Sequence, residues 1–262
     1  MTNNKLQMEN TKLQIDAKGL HYRELNERIY QAVNNGVKEI ILDNVNGQRY
    51  IGTGLKGKDI KITINGIPGN DLAAFMDGPR IIVNSNAQDG VGNTMNTGEI
   101  IIHGDAGDIV GHSMRGGKIF IKGNVGYRVG IHMKAYKEFY PVIVVGGKAY
   151  DFLGEYMSGG MIIVLGLNKD KTLSIVGNYT GTGMHGGTIY IRGNVQEYQL
   201  GKEVGLNTPN EEEKKLLQKY IIEYFHFFNF PSKKILAEEI INSEFVKLYP
   251  KYLRPYGRLY NY

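Results

Sequence analysis

The sequence predicts a mainly β protein: a right-handed, single-stranded parallel β-helix with a small N-terminal α/β cap and C-terminal helices. Three observations predict it. Glycine supplies 35 of the 262 residues, and 29 of these lie between Gly52 and Gly193, well above the usual share of about 7%. A unit of 19 residues recurs in that stretch: GNTMNTGEIIIHGDAGDIV starts at Gly92, GHSMRGGKIFIKGNVGYRV at Gly111 and GIHMKAY at Gly130. Each unit carries one apolar run of about five residues rich in β-branched side chains, the mark of a strand.

The period decides the architecture. It is too short for a βαβ unit of about 30 residues or a propeller blade of about 40. Strands of one phase separated by glycine corners therefore imply a coil stacked on itself. Looser copies start at Gly52, Ala73, Gly154 and Gly181, making seven, with insertions stretching the later spacings to 24 and 27 residues. Their strands are IKITI, RIIVN, EIIIH, KIFIK, VIVVG, MIIVLG and TIYIR. At roughly 4.8 Å per strand they would build a rod about 30 Å long. The chain thus divides into a cap over residues 1–50, the glycine-repeat β-helix over 51–200 and a C-terminal helical extension with a Tyr-rich tail over 201–262.

The cap follows from Leu25, Ile29 and Ala32/Val33 at helical spacing in Tyr22–Asn34, a Gly36 stop and a strand over Glu39–Asp43. A bare end would expose an unpaired edge, so a cap is needed. In the extension, Thr208-Pro209-Asn210-Glu211 reads as a helix start with Thr208 as N-cap and Pro209 first in the helix. Leu217, Ile221, Tyr224/Phe225 and Phe228 form its apolar face. Pro231 ends it, and Ser232 caps a second helix to about Asn242. In the tail, Tyr249, Tyr252, Tyr256, Tyr260 and Tyr262 alternate with Lys247, Lys251, Arg254 and Arg258, a composition suited to packing against protein.

Alternation within the strands sorts the side chains. Ile60/Ile62, Ile81/Val83, Ile100/Ile102, Ile119/Ile121, Ile162/Val164 and Ile189/Ile191 are expected to stack inside, as are Met76, Met95, Met114, Met133, Met157 and Met184. Soft thioethers in a repeating slot are adaptable core filler. Outside, Asp59, Arg80, Glu99 and Lys118 place opposite charges on neighbouring rungs and so favour the register. The next outward column opens with Lys61 and turns apolar at Ile82, Ile101, Phe120, Ile163 and Tyr190. These five form a candidate docking stripe, to be covered either by this chain's own helices or by another subunit.

Composition excludes several functions. With no cysteine there is no disulfide, thiolate metal site, cysteine-ligated iron–sulfur cluster or cysteine nucleophile. The same absence suits a cytoplasmic location. No run approaches the roughly 18 apolar residues of a membrane span, and the start does not read as a signal peptide. The net charge of +5 is spread over all three parts, so no basic domain points to nucleic acid. Gly52-Thr-Gly54-Leu-Lys-Gly57 and Gly181-Thr-Gly183-Met-His-Gly186 match a dinucleotide-binding pattern, but that chemistry needs a helix to follow, and strands follow here. The six histidines lack zinc spacing; His112, His132 and His185 sit near corners at different phases and need not converge. Neither the calcium nonapeptide nor a serine elbow is present. No catalytic, cofactor-binding or metal residue is predicted.

The run NGIPGNDLAAFMDGPRIIVNSNAQDGVGNTMNTGEIIIHG, with VGHSMRGGKIFIKGNVGYRVG, FLGEYMSGGMIIVLG and TGTGMHGGTIYIRG, resembles the glycine-repeat (GXGXG) domain at the C-terminus of the glutamate synthase large subunit. The resemblance spans about residues 37–197. The same repeats occur in one subunit of formylmethanofuran dehydrogenase, but VNGQRYIGTGLKG and HYRELNERIYQAVNNGVKEI favour glutamate synthase in the form whose domains are separate chains. The resemblance implies a non-catalytic scaffold between a glutaminase-type subunit and an FMN subunit, with FMN and the iron–sulfur cluster on those partners. The extension from Gly201 is not obviously shared. Two other readings stay open from the residues: a self-associating, homo-oligomeric binding module, and an enzyme with its site at the insertions 134–151 and 167–179.

Overall fold

In the computed structural model, residues 12–167, 174–230 and 232–252 are described. Strand β1 (Lys12–Asp16) and helix α1 (Tyr22–Asn34) precede β2 (Glu39–Asn46). The repeats supply β3 (Lys61–Ile67), β4 (Asp77–Val83), β5 (Thr97–Ile102), β6 (Lys118–Ile121), β7 (Val142–Val145), β8 (Ser158–Val164) and β9 (Gly186–Arg192). The extension holds β10 (Val204–Asn207), α2 (Glu211–Phe227), α3 (Lys233–Ile241) and β11 (Phe245–Pro250). From β1 to β9 every strand pairs in parallel with the next in chain order. That succession is a β-solenoid, and all seven strands expected from the repeats are in it.

The interior is the expected ladder with one shift. Ile81, Ile100, Ile119, Ile143, Ile162 and Ile189 stack in register and are fully buried. In the first coil it is Ile62 and Ile64, not Ile60 and Ile62, that face Ile81 and Val83. The physical reason is a longer corner. Lys56 bridges Asp77 while Ile62 pairs with Ile81, so the first coil spends two more residues on the turn. The outward columns move with it. Lys61 pairs with Arg80, a like-charge step, and lies 3.5 Å from Glu39, while Asp59 joins Lys38 at 2.8 Å. Further on the alternation holds, with Arg80 Nε 2.6 Å from Glu99. Burial holds the Glu99 carboxyl above its ordinary range against the pull of Arg80 and Lys118.

All six methionines of the repeating slot are buried, and the methyls of Met76, Met95, Met133 and Met157 reach a glycine of the next coil. The methyl of Met95 fills the space a side chain at Gly117 would take, and Met157 does the same at Gly187. Two interior columns are not evident from strand alternation. One stands just before the first residue of a copy (Leu72, Val91, Val110, Val129, Leu153) and the other is the small-residue bridge Ala87–Ala106 with Val125–Ala149–Val176. These single bridges join successive coils outside the named strands.

The Gly-[Asp/Asn]-x-Gly corners are stitched by side chains. Asn86 Oδ1 accepts from the Asp105 N–H at 2.9 Å, Asp105 from Asn124 at 2.6 Å and Asn124 from Lys148 at 2.9 Å. A parallel file runs from Asp89 to Asp108 and on to Tyr127, at 2.9 and 2.8 Å. These carboxylates and amides give backbone donors partners where no strand does.

Both ends are closed. Helix α1 packs Leu25, Ile29 and Ala32 on the first coils, and β1, an element the sequence did not reveal, extends the sheet beyond β2. At the far end β11 pairs antiparallel with β9, and β10 pairs antiparallel with β11. The first part of the expected tail is therefore a strand; Arg254, Tyr256, Arg258, Tyr260 and Tyr262 lie outside the described residues, as does Pro231. Helix α2 also starts later than expected. Its N-cap is Asn210, not Thr208, because Asn210 accepts from the Glu213 N–H and Glu213 accepts from the Asn210 N–H, both at 2.9 Å. Such reciprocal capping satisfies two otherwise orphaned donors. Ser232 does occupy the N-cap of α3, with no side-chain bond to it.

Candidate functional site

The predicted stripe is real as a surface of the coil, but α2 and α3 of the same chain cover it. Ile101, Phe120, Ile163 and Tyr190 are buried and Ile82 is half-buried in a second apolar core, shared with Leu217, Tyr220, Ile221, Tyr224, Phe225 and Phe228. Those helical residues recur every three or four positions, so one face of α2 lies along the column. Val142, Val144 and Met161 on β7 and β8 complete the floor. This takes the stripe away from a partner subunit while the helices are seated.

Polar contacts fix the helix in place. The Tyr224 hydroxyl donates to the Lys122 carbonyl at 3.0 Å and rests against Gly146, where any side chain would overlap it. Burial holds that phenol above its ordinary range. Lys118 pairs with Glu223, and Lys247 on β11 with Glu213. The Phe120 and Phe227 rings lie 5.0 Å apart, and His103 meets Phe228 edge-on at 5.1 Å. Burial raises the Tyr190 phenol, with Glu213 beside it adding to the rise.

The surface left open is aromatic and cationic. Tyr127 stacks on Tyr150 at 5.5 Å, Phe152 on Tyr179 at 4.9 Å and His132 on Tyr156 at 5.3 Å. Arg128 lies 4.6 Å over Phe152 and its Nε bonds Glu155 at 3.0 Å. Tyr127, Tyr150, Tyr156 and Tyr179 are all exposed. Rings at equal phase in successive coils are what a ladder brings together, and that repeat of phase is the signal sequence reasoning missed. Tyrosine and arginine are enriched where protein surfaces meet.

His112 and His132, which the sequence did not require to converge, stand 6.1 Å from each other across one coil step. His185 bonds its own neighbourhood, through Nδ1 to the Gly183 carbonyl at 3.2 Å. Among the described residues no three His, Asp or Glu side chains group as metal ligands would. Strands β3 and β9 follow the two glycine triplets, so neither opens a helix. No helix among the described residues is long and apolar enough to cross a membrane.

The architecture defines a class: a glycine-repeat β-solenoid. The family model described as "GXGXG motif" matches residues 25–251, and the chain belongs to that family. The match reaches past Gly201, so α2, α3 and β11 fall within its span. The chain is also 52% identical over 250 residues to an uncharacterized protein of Methanocaldococcus jannaschii, covering 94% of this chain and 95% of that one.

Proposed function

We propose that this protein is a non-catalytic scaffold subunit of a cytoplasmic glutamate synthase-type complex, which makes glutamate from glutamine and 2-oxoglutarate. The family match over the repeats and their leading segment carries the reading. The scaffold holds a glutaminase-type subunit and an FMN-bearing subunit in fixed relation. With no cysteine in the chain, cysteine ligation of the iron–sulfur cluster falls to the partners. The exposed rings of Tyr127, Tyr150 and Tyr179, with half-buried Phe152 among them, are the docking face on this reading, because the apolar stripe is already occupied.

The test is affinity purification of the tagged chain from native cells. A glutaminase-type protein and a flavin- and iron–sulfur-containing protein should co-elute in fixed ratio. Recovery of the chain alone, or only as a homo-oligomer, would overturn the proposal.

A further inference from the structure

Ser113 and Arg115, between β5 and β6, stand one coil before His132 and Lys134, between β6 and β7. Two backbone bonds lock the steps together: Ser113 N–H to the Ile131 carbonyl at 2.9 Å, and Lys134 N–H to the Met114 carbonyl at 3.0 Å. The insertion that follows turns back on itself, with Tyr136 and Phe139 exchanging backbone bonds at 3.1 and 3.0 Å. It leans on Gly116, where a Cβ would meet the Phe139 Cβ at 2.8 Å. The turn raises Tyr136 as a wall, and the result is a half-open cleft of ≈ 430 Å³ lined by Ser113, Arg115, His132, Lys134 and Tyr136. That volume lies in the range of small-molecule sites, about 300–1,000 Å³.

Its lining is one-sided. Its five lining residues are an arginine, a lysine, a histidine, a serine and a tyrosine, and none is a carboxylate. Neither Arg115 nor Lys134 forms an ion pair among the described residues. Behind them runs a polar chain. Asn93 Nδ2 donates to Asp71 at 3.1 Å, His112 Nδ1 meets Asn93 Oδ1 at 3.2 Å, and Ser113 Oγ lies 3.4 Å from His112 Nε2. A contact of 3.4 Å is at the long end for a hydroxyl, so Ser113 can turn its hydrogen into the cleft. An arginine offers a planar fork to an oxyanion, and a lysine adds a point charge.

We propose that this cleft binds a small molecule through an oxyanion group, a carboxylate or a phosphate, held between Arg115 and Lys134 and donated to by Ser113. The site is independent of the scaffold role and needs no partner subunit.

Inorganic phosphate and glutarate are the probes, each titrated into the full chain by calorimetry and by amide-shift mapping. At least one should bind, with shifts centred on Ser113, His132 and Lys134, and added sodium chloride should weaken it. Phosphate alone assigns a phosphoryl ligand, glutarate alone a carboxylate. Both side chains are exposed, so the R115Q/K134Q double variant should keep the wild-type melting temperature while binding about tenfold more weakly. Failure of both anions to bind at millimolar concentration overturns the site, as does equal binding by wild type and a folded double variant.

Discussion

Met95 and Gly117 are a matched pair across one coil step, the methyl of one resting where the other has no side chain. Truncation at Met95 should leave a hole the rigid stack cannot close. M95A is expected to cost about 2–5 kcal/mol in urea unfolding, whereas M95L should cost less than about 1.5 kcal/mol. The corner files make a second, sharper comparison. Asp108 accepts the Tyr127 N–H, so D108A removes a corner hydrogen bond that water can partly replace and should destabilise by about 0.5–1.5 kcal/mol. D108N keeps the acceptor oxygen and should unfold at nearly the wild-type denaturant midpoint. The inward Ile and Met ladders were legible because strand alternation and the Met slot repeat at fixed spacing. The register of the first coil was not: its extra two turn residues lie between Lys56 and Ile62, where the buried Ile60 imitates the alternation of the strand.

Helix α2 and its C-cap Phe228 join the solenoid through six large side chains and a rim of ions. Its apolar spacing was readable, as was the outward stripe, yet nothing in either sequence segment states that one covers the other; only their positions in space do. Removing the helices should therefore expose the stripe. A chain ending at Asn207 is expected to bind a hydrophobic dye and self-associate, measured by dye fluorescence and light scattering, while the full chain does neither. Glu213 gives a pH signature. Burial pushes its carboxyl up, but Lys247, the Asn210 N–H and Tyr190 outweigh this and leave it below its ordinary 4.5. Because the folded value is the lower one, ionised Glu213 stabilises above pH 4.5, and the contribution fades as pH falls through the folded value. Near-ultraviolet dichroism of the buried tyrosines should show wild type losing stability on acidification there, with E213Q responding less.

The molecule is a stack in which each coil touches its neighbours, so strand order repeats chain order from β1 to β9. That regularity made the fold readable from period alone. The parts that escaped, β1, β10 and β11, carry no repeat, and β10 and β11 run antiparallel to their partners. The aromatic face escaped for another reason: rings 23 to 27 residues apart in sequence meet only once the coil is wound. Replacing Tyr150 and Tyr179 with serine should leave the melting temperature within a few degrees, since exposed positions rarely move stability by more than about 0.5 kcal/mol. The same pair of changes should reduce co-purification of partner subunits if those rings are the docking face.

Strand β11 sits between β9 and β10 although it is the last of the three to leave the ribosome. Winding can proceed turn by turn during synthesis, but the terminal rung must wait, open on one side, until the final described strand slots in like a bolt. A nascent or clipped chain ending near Asn242 would thus present a raw parallel edge at β9, and quality control or a neighbouring molecule would meet that edge first.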